Sequence, residues 1–450
     1  MFFGYRKGNI VMNIPNNVVK ILNVLNQNGY EGYIVGGAVR DYLSGKEPHD
    51  YDIATNALPS ETKALFEKTI DTGIKHGTVV ALFNGEGYEI TTYRVDGNYS
   101  DGRHPDSVSF VDDITKDLAR RDFTINAMAM DIQGNIIDPF NGQEDLKYGI
   151  IRAVGTAEER FREDALRMLR AIRFAAQFNF TIDDITSKAI KDNANLLSNV
   201  SKERIISEYS KILDCENPGY AIKDALKLDV LKNTIIEIYR CVYSYVLINN
   251  TYKFDVLNNK PDLNKNVKWA IFFNCLDSSY MNNIDEILHK YKFSNKDINE
   301  ISNILLNKGI TLKYNDLAAI REFVATYGID CAKNIYQLQD AILQNEEYFT
   351  HDINYLQNKS IYKTEAFLKA AEMCYKDGTA IKLSDLEING NDLKDIGFKG
   401  KDIGEALDYL YHECLEAPTL NKKDMLIQMA NDIFEKEQAD AFDMVAVPEL

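Results

Sequence analysis

Apolar and polar residues follow two different rhythms along this chain, and the change falls near residue 156. Between 33 and 152 the apolar runs are short and broken by turn residues, the pattern of interleaved strands and helices. Tyr33-Ile34-Val35 reads as a strand that stops at Gly36-Gly37 and feeds a helix, AVRDYLSG. Tyr51-Asp52-Ile53-Ala54-Thr55 reads as a second strand, followed by a helix from Pro59 to about Lys68. TVVALF (78–83) and YEITTYR (88–94), separated by Asn84-Gly85-Glu86-Gly87, read as a β-hairpin. The polar stretch DGNYSDGRHPDS (96–107) interrupts, LARRDFTINAMAM (118–130) reads as a helix, and NIIDPF and IIRAVG read as closing strands. From Thr156-Ala157-Glu158-Glu159, which has the spacing of a capping box, the 3.6-residue apolar period runs helix after helix to the C-terminus. Segments 226–250 and 300–345 are amphipathic without a local chemical motif, and there is no internal repeat or Pro-rich linker. The fold class expected is α+β, a mixed head followed by an all-α remainder.

Composition sharpens this picture. A chain of 450 residues suggests about three domains. With 45% hydrophobic and 26% charged residues it has material for real cores. No run approaches the roughly 20 apolar residues of a membrane helix, so no membrane partner is expected. Six scattered cysteines with no CxxC indicate neither a disulfide framework nor a zinc knuckle, and a cytoplasmic, reducing compartment is expected. The net charge of −17 argues against coating nucleic acid by bulk electrostatics, but not against gripping it locally. Residues 1–180 carry 20 basic and 25 acidic side chains, the remainder 31 and 43, so the acid is concentrated in the C-terminal part.

Two chemical constellations stand out. At Gly36-Gly37 a strand turns into a helix without side chains in the way, so backbone N–H groups and the helix dipole can face an anion, with Arg40 adding a charged fork. Ten residues on, Asp50-Tyr51-Asp52 would place two carboxylates on one face of a strand, about 6.6 Å apart, with Tyr51 on the other. Hard oxygen ligands so placed suit Mg²⁺, and Glu89, at the start of a hairpin strand, could supply a third carboxylate. An isolated DxD is more often an exposed edge strand. There is no GxxxxGK[ST] and no GxGxxG, so P-loop and dinucleotide folds do not compete.

The run GGAVRDYLSGKEPHDYDIAT (36–55) closely resembles the active-site signature of polymerase β-like nucleotidyltransferases, specifically the bacterial class II tRNA nucleotidyltransferases that add CCA. Further segments are similar to the same family in order: 75–110 to its hairpin and flexible loop, DLARRDFTINAMAMD with IIDPFNGQEDL to its second motif, and ERFREDALRMLRAIRFAAQFNF to its nucleotide-selecting helix. VSKERIISEYSKIL (200–213) resembles the helix that buttresses the last, and INGNDLKDIGFKGKDIGEAL (388–407) is a weaker echo. Met12 opens the family-like part, and 214–380 rests on the family's helical architecture.

The resemblance implies a polymerase-β-like catalytic head over 12–152, a helical neck with the nucleotide-selecting helix over 153–270, and a helical body and tail binding tRNA over 271–450. It implies Asp50, Asp52 and Glu89 as catalytic residues, the first two as Mg²⁺ ligands. It implies Gly37, Arg40, Arg121, Asp164, Arg167, Arg170 and Arg173 as nucleotide-binding residues, with tRNA, CTP and ATP as substrates. The helix carrying Asp164, Arg167, Arg170 and Arg173 would have them at intervals of three, with Leu166, Leu169 and Ile172 packed inward. The loop 96–107, with Asp96, Arg103, His104 and Pro105, is implied to serve the final adenosine addition. Alternatives are an A-adding enzyme or a bacterial poly(A) polymerase on the same scaffold, and a tRNA-binding module without catalysis. His351-Asp352, with His289 upstream, is the candidate for a second metal site, more often plain surface. Gly397, Gly400 and Gly404 with Lys399 and Lys401 could face tRNA phosphate or cap helices. Monomer and homodimer both stay open.

Overall fold

The computed structural model describes residues 14–83, 85–97, 99, 102, 105–249, 254–346, 354–379 and 381–445. Met12, Arg103, His104, His351 and Asp352 lie outside them. The chain divides into two compact units, one of residues 1–261 with 290–292, the other of 262–289 with 293–450.

The first unit opens with helix α1 (Asn16–Gln27), whose Val18, Ile21, Leu22 and Leu25 are fully buried at helical spacing. Strand β1 (Gly32–Val35) follows, and Gly32 faces α1 so closely that a Cβ there would lie 3.0 Å from Leu25 Cδ1. Next come α2 (Gly37–Leu43), β2 (Asp52–Thr55), α3 (Pro59–Leu65) and β3 (Thr69–Gly73). The hairpin is β4 (Thr78–Phe83) and β5 (Glu86–Thr92). β6 (Arg94–Asp96) and β7 (Val108–Phe110), which flank the polar stretch in sequence, form a separate two-stranded ribbon. α4 (Ile114–Ala119), β8 (Ala129–Met130), β9 (Ile136–Ile137) and α5 (Gly142–Tyr148) complete the head. The main sheet has the order β3-β4-β5-β2-β1-β8-β9. β1 and β2 run antiparallel, β2 and β5 parallel. One sheet face buries Ile34, Ile53, Ala81 and Ile90 against α1 and α2; the other buries Val35, Ala54 and Ala129 against Tyr93, Leu118 and Val154.

The structure corrects the sequence reading at several points. LARRDFTINAMAM is not one helix: α4 starts earlier, where the Asp113 carboxylate accepts from Thr115 N–H, and ends at Ala119, after which 124–126 form a single 3₁₀ turn leading into β8. β3, β6 and β7 were not expected. IIRAVG does not join the main sheet; β10 (Ile150–Ile151) pairs in parallel with β11 (Thr181–Ile182). α6 (Ala157–Glu163) begins where the capping box was read, but Thr156 makes no side-chain cap. Glu89 lies within β5 rather than at its start, opposite Val80.

After α6 come α7 (Leu166–Phe178), α8 (Asp184–Asn193) and α9 (Lys202–Leu213), then helices to Asn249. α7 buries Met168, Leu169, Ala171 and Ile172, and packs on α9. The second unit is helical throughout its described residues. Its first core is an aromatic knot in which Trp269 and Phe293 meet edge to face at 4.8 Å. A long helix, Leu317–Glu346, is interrupted at Gly328 (φ 82°) and packs along Asn354–Lys376. Toward the C-terminus Leu393, Phe398, Leu410, Cys414 and Leu426 form a second core. Here Gly397 caps Gly390–Ile396, and a Cβ on it would meet the Phe434 ring at 2.7 Å. His289 is exposed, and among the described residues no His, Cys, Asp and Glu gather into a metal-holding group.

Candidate active site

The acidic end of the site is set by sheet register. Val35 pairs with Asp52, and Ile53 with Ile90, so Asp52 and Glu89 leave neighbouring strands on the same face, beyond the last buried residues. Asp50 precedes β2, and Tyr51 turns into the core of the opposite face. Asp52 keeps an open path to solvent, yet its protein walls raise its carboxyl above the usual range; Arg121 opposes that shift and Asp50 adds to it. Glu89 is raised likewise, first by burial, then by Asp52 and Asp50. Mutual repulsion of this kind is relieved by a cation. The hard carboxylate oxygens of these acids are of the type that suits a divalent cation such as Mg²⁺, an ion held by one or two carboxylates with waters and substrate phosphates completing its shell.

Above this lies the glycine turn. Gly36 has φ 72° and ψ −130°, which an L-residue adopts only under strain. A Cβ there would come within 2.9 Å of Arg121 Nη1, with Asp52 Oδ2 at 3.9 Å. Arg121 therefore crosses the turn beside the acids. Burial lowers its pKa; Asp117, 3.5 Å away, is its main charge partner, and its Nε finds no acceptor among the described residues. A guanidinium that sets Nη1 against a glycine turn is suited to an anionic phosphate.

From Glu89 a cleft of about 430 Å³ extends to α7, lined also by His76, Arg94, Asp96, Tyr99, Arg120, Asp164 and Arg167. The helix read as continuous here breaks at Asp164, whose φ −144° and ψ 103° separate α6 from α7. Its Oδ1 accepts from Leu166 N–H at 3.0 Å, capping α7, and its Oδ2 accepts from Arg204 on α9 at 2.7 Å. Arg167 donates to Glu163 at 3.0 Å and to the Arg120 carbonyl at 3.1 Å. Asp164 and Arg167 thus present an acceptor beside donors at one end of the cleft. Arg120, Arg94 and Tyr99 all converge on Asp96, Tyr99 donating at 2.7 Å.

Five expected nucleotide residues, Gly37, Arg40, Arg121, Arg170 and Arg173, do not line this cleft, and neither do Asp50 and Asp52. Arg40 is buried, pairs with Asp41, donates to Asn126 and lies over the Phe178 ring at 4.6 Å. Arg170 pairs with Asp122, and Arg173 with Glu208 at 2.7 Å. Gly37 opens α2, facing Arg40. The sequence reading missed Asn126, Asp122 and Glu208, which fix these arginines, and Arg204 and Glu163, which hold Asp164 and Arg167; only 200–213 was singled out, as a buttress.

Comparison with known proteins bears on this arrangement. The family described as Poly A polymerase head domain matches residues 32–152. The family for the RNA- and SrmB-binding site of polymerase A matches 179–238, and that for tRNA nucleotidyltransferase domain 2 matches 263–430. A CCA-adding enzyme of Ligilactobacillus salivarius is 37% identical over 444 residues, 95% of this chain and 100% of that one. One from Geobacillus kaustophilus is 45% identical over 286 residues, 63% of this chain and 68% of that one. Among solved structures, the Bacillus stearothermophilus CCA-adding enzyme in complex with CTP matches with a TM-score of 0.75 at 30% identity, covering 95% of this chain and 100% of that one.

Proposed function

This chain belongs to the CCA-adding tRNA nucleotidyltransferases, and we propose that it adds C, C and A in turn to the 3′ end of tRNA in the cytoplasm, from CTP and ATP, releasing pyrophosphate. The observation that supports this most is the cleft that joins Glu89 at one end to Asp164 and Arg167 at the other.

The reaction is in-line attack of the tRNA 3′-hydroxyl on the α-phosphate, which asks for positioning and charge neutralisation rather than a covalent nucleophile. Asp50 and Asp52 are the residues that would hold Mg²⁺, which supplies charge neutralisation and a more acidic attacking hydroxyl when bound. Glu89 adds a third negative group beside them. Arg121, whose Nη1 lies at the glycine turn beside Asp52, takes the triphosphate. Arg40, Arg170 and Arg173 hold α2 and α7 in place around it.

Base choice follows from hydrogen-bond polarity. Cytosine and adenine each carry an exocyclic amine beside a ring-nitrogen acceptor; uracil and guanine put a carbonyl where the amine would be. Asp164 accepts from that amine and Arg167 donates to the ring nitrogen. A carbonyl opposite Asp164 leaves two acceptors facing each other, at about 1–3 kcal/mol when buried, a tenfold to hundredfold discrimination. The helical remainder of the chain, by this reading, measures tRNA by shape.

The test supplies tRNAs ending before CCA, after C and after CC with labelled CTP and ATP separately. Incorporation of C on the first two and A on the third is expected. Incorporation of A alone, on the CC end, would replace this reading with an A-adding enzyme.

A further inference from the structure

A buried polar chain runs from the glycine turn to the base-reading helix, and none of its central members faces the cleft. Arg40, on α2, donates from Nη1 to Asn126 Oδ1 at 2.7 Å. Asn126 Nδ2 donates to Asp122 Oδ1 at 3.1 Å. Asp122 Oδ2 accepts from Nε and Nη2 of Arg170, on α7, at 3.0 and 2.5 Å. Asn126 is 6% exposed. Arg40 Nε and Nη2 pair with Asp41 Oδ1, and its flat face lies over Phe178.

The order of these groups fixes them. The Asn126 amide has one acceptor end and one donor end, with a cation beyond the first and an anion beyond the second. Turning it over would set donor against donor and acceptor against acceptor, so it has one orientation. The three segments it ties together are those that handle the nucleotide: α2 with the glycine turn, the residues directly after Arg121, and α7 one turn past Arg167. Two rigid contacts separated by a loose joint could each bind well without aligning the α-phosphate.

We infer that Asn126 is a positioning residue that couples the triphosphate side of the site to the base-reading side, so that correct base pairing at Asp164 and Arg167 is expressed as rate at the phosphate. This rests on the base-reading role given to that pair. Selectivity of this kind comes from contacts strengthened in the transition state, and a misplacement of about 1 Å is worth on the order of a hundredfold.

The experiment measures kcat and KM for CTP, ATP, UTP and GTP on CCA-less and CC-ending tRNA, with far-UV circular dichroism of each protein. Asn126→Ala is expected to lower kcat for CTP and ATP about 10–100-fold with little change in KM, and to lower kcat for UTP and GTP less, so that the preference shrinks at least tenfold. Asn126→Asp, which opposes two carboxylates, falls further. Combining Asn126→Asp with Asp122→Asn exchanges amide and carboxylate, again sets a donor against an acceptor at each link, and recovers at least tenfold. Recovery stays partial because the Phe123 N–H, which Asp122 Oδ1 accepts at 2.8 Å, then meets an NH₂ group. Where a variant loses its helical signal, Asn126→Ser is read in its place. Equal loss for all four triphosphates, or a double variant no better than Asn126→Asp, overturns the inference. A wild-type enzyme that does not discriminate overturns the base-reading premise instead.

Discussion

Replacing Asp122 by Asn removes one charge from a buried pair and changes almost nothing in shape, so its cost can be worked out. Burial pushes the Asp122 carboxyl up, but Arg170 more than offsets this, with Asn126 and Arg167 helping, and its pKa settles at about 2. The ordinary carboxyl stands at 3.8. A folded-state pKa below the unfolded one stabilises the protein above the unfolded value, and that stability is lost as pH falls through the folded one. The gap corresponds to about 2 kcal/mol at pH 7, shrinking to about 1 kcal/mol at pH 3. Removing one partner of a buried pair outright costs about 3–5 kcal/mol; Asn retains hydrogen bonding and the Arg170 side chain is 33% exposed, so the lower figure holds. Asp122→Asn should therefore lower the first unit's melting temperature by roughly 4–8 °C at pH 7, with a smaller deficit at pH 3. Denaturant unfolding followed by circular dichroism at both pH values measures it. The chain's single tryptophan, Trp269, lies in the second unit and serves as an internal control whose transition should not move. A deficit that is constant with pH, or no deficit at pH 7, refutes the assignment of this pair as the source.

Two other substitutions probe the ends of the cleft. Arg204→Ala frees the Asp164 carboxylate from its 2.7 Å partner; it should lower kcat/KM for CTP and ATP about tenfold and raise UTP incorporation relative to CTP, and less than a twofold change in both would show that the Leu166 cap alone holds Asp164. Gly36→Ala forces φ 72° on an L-residue and drives a methyl against Arg121 Nη1; about 1–3 kcal/mol of strain should appear as lost stability with kcat down at least tenfold, tRNA affinity measured by filter binding staying within twofold.

Residues whose placement depends on near neighbours in the chain were legible in the sequence. The glycine turn, the acids at 50 and 52 and the hairpin that carries Glu89 are each defined within a few positions, and strand register then brings them together. LARRDFTINAMAM was misread because Phe123, Ile125, Ala127, Met128, Ala129 and Met130 are all essentially fully buried. A segment covered on both sides shows neither the helical nor the strand period cleanly. The arginines of α2 and α7 were misplaced for a different reason. The resemblance implies Arg40, Arg170 and Arg173 as nucleotide-binding, and what draws them inward are Asn126, Asp122 and Glu208, which lie 86, 48 and 35 positions away. No local pattern encodes such partners.

The break at Asp164 shows what this costs a sequence reading and what it adds to function. Read as one helix, the acceptor and donor proposed to face the base would sit one turn apart, their spacing fixed by helical geometry. In the structure only Arg167 is on α7; Asp164 stands just outside it on extended backbone, tied to Leu166 N–H and to Arg204 of α9. Arg167 is held from the other side, by Glu163 of α6 and by the Arg120 carbonyl of the head. Acceptor and donor therefore share the start of α7 but have different second holds, Arg204 of α9 for Asp164 and Glu163 with the Arg120 carbonyl for Arg167. For the proposed base-reading role, separate second holds would help a site that pairs first with a pyrimidine and then with a purine, since the two bases place the same donor–acceptor pair at different distances from the sugar.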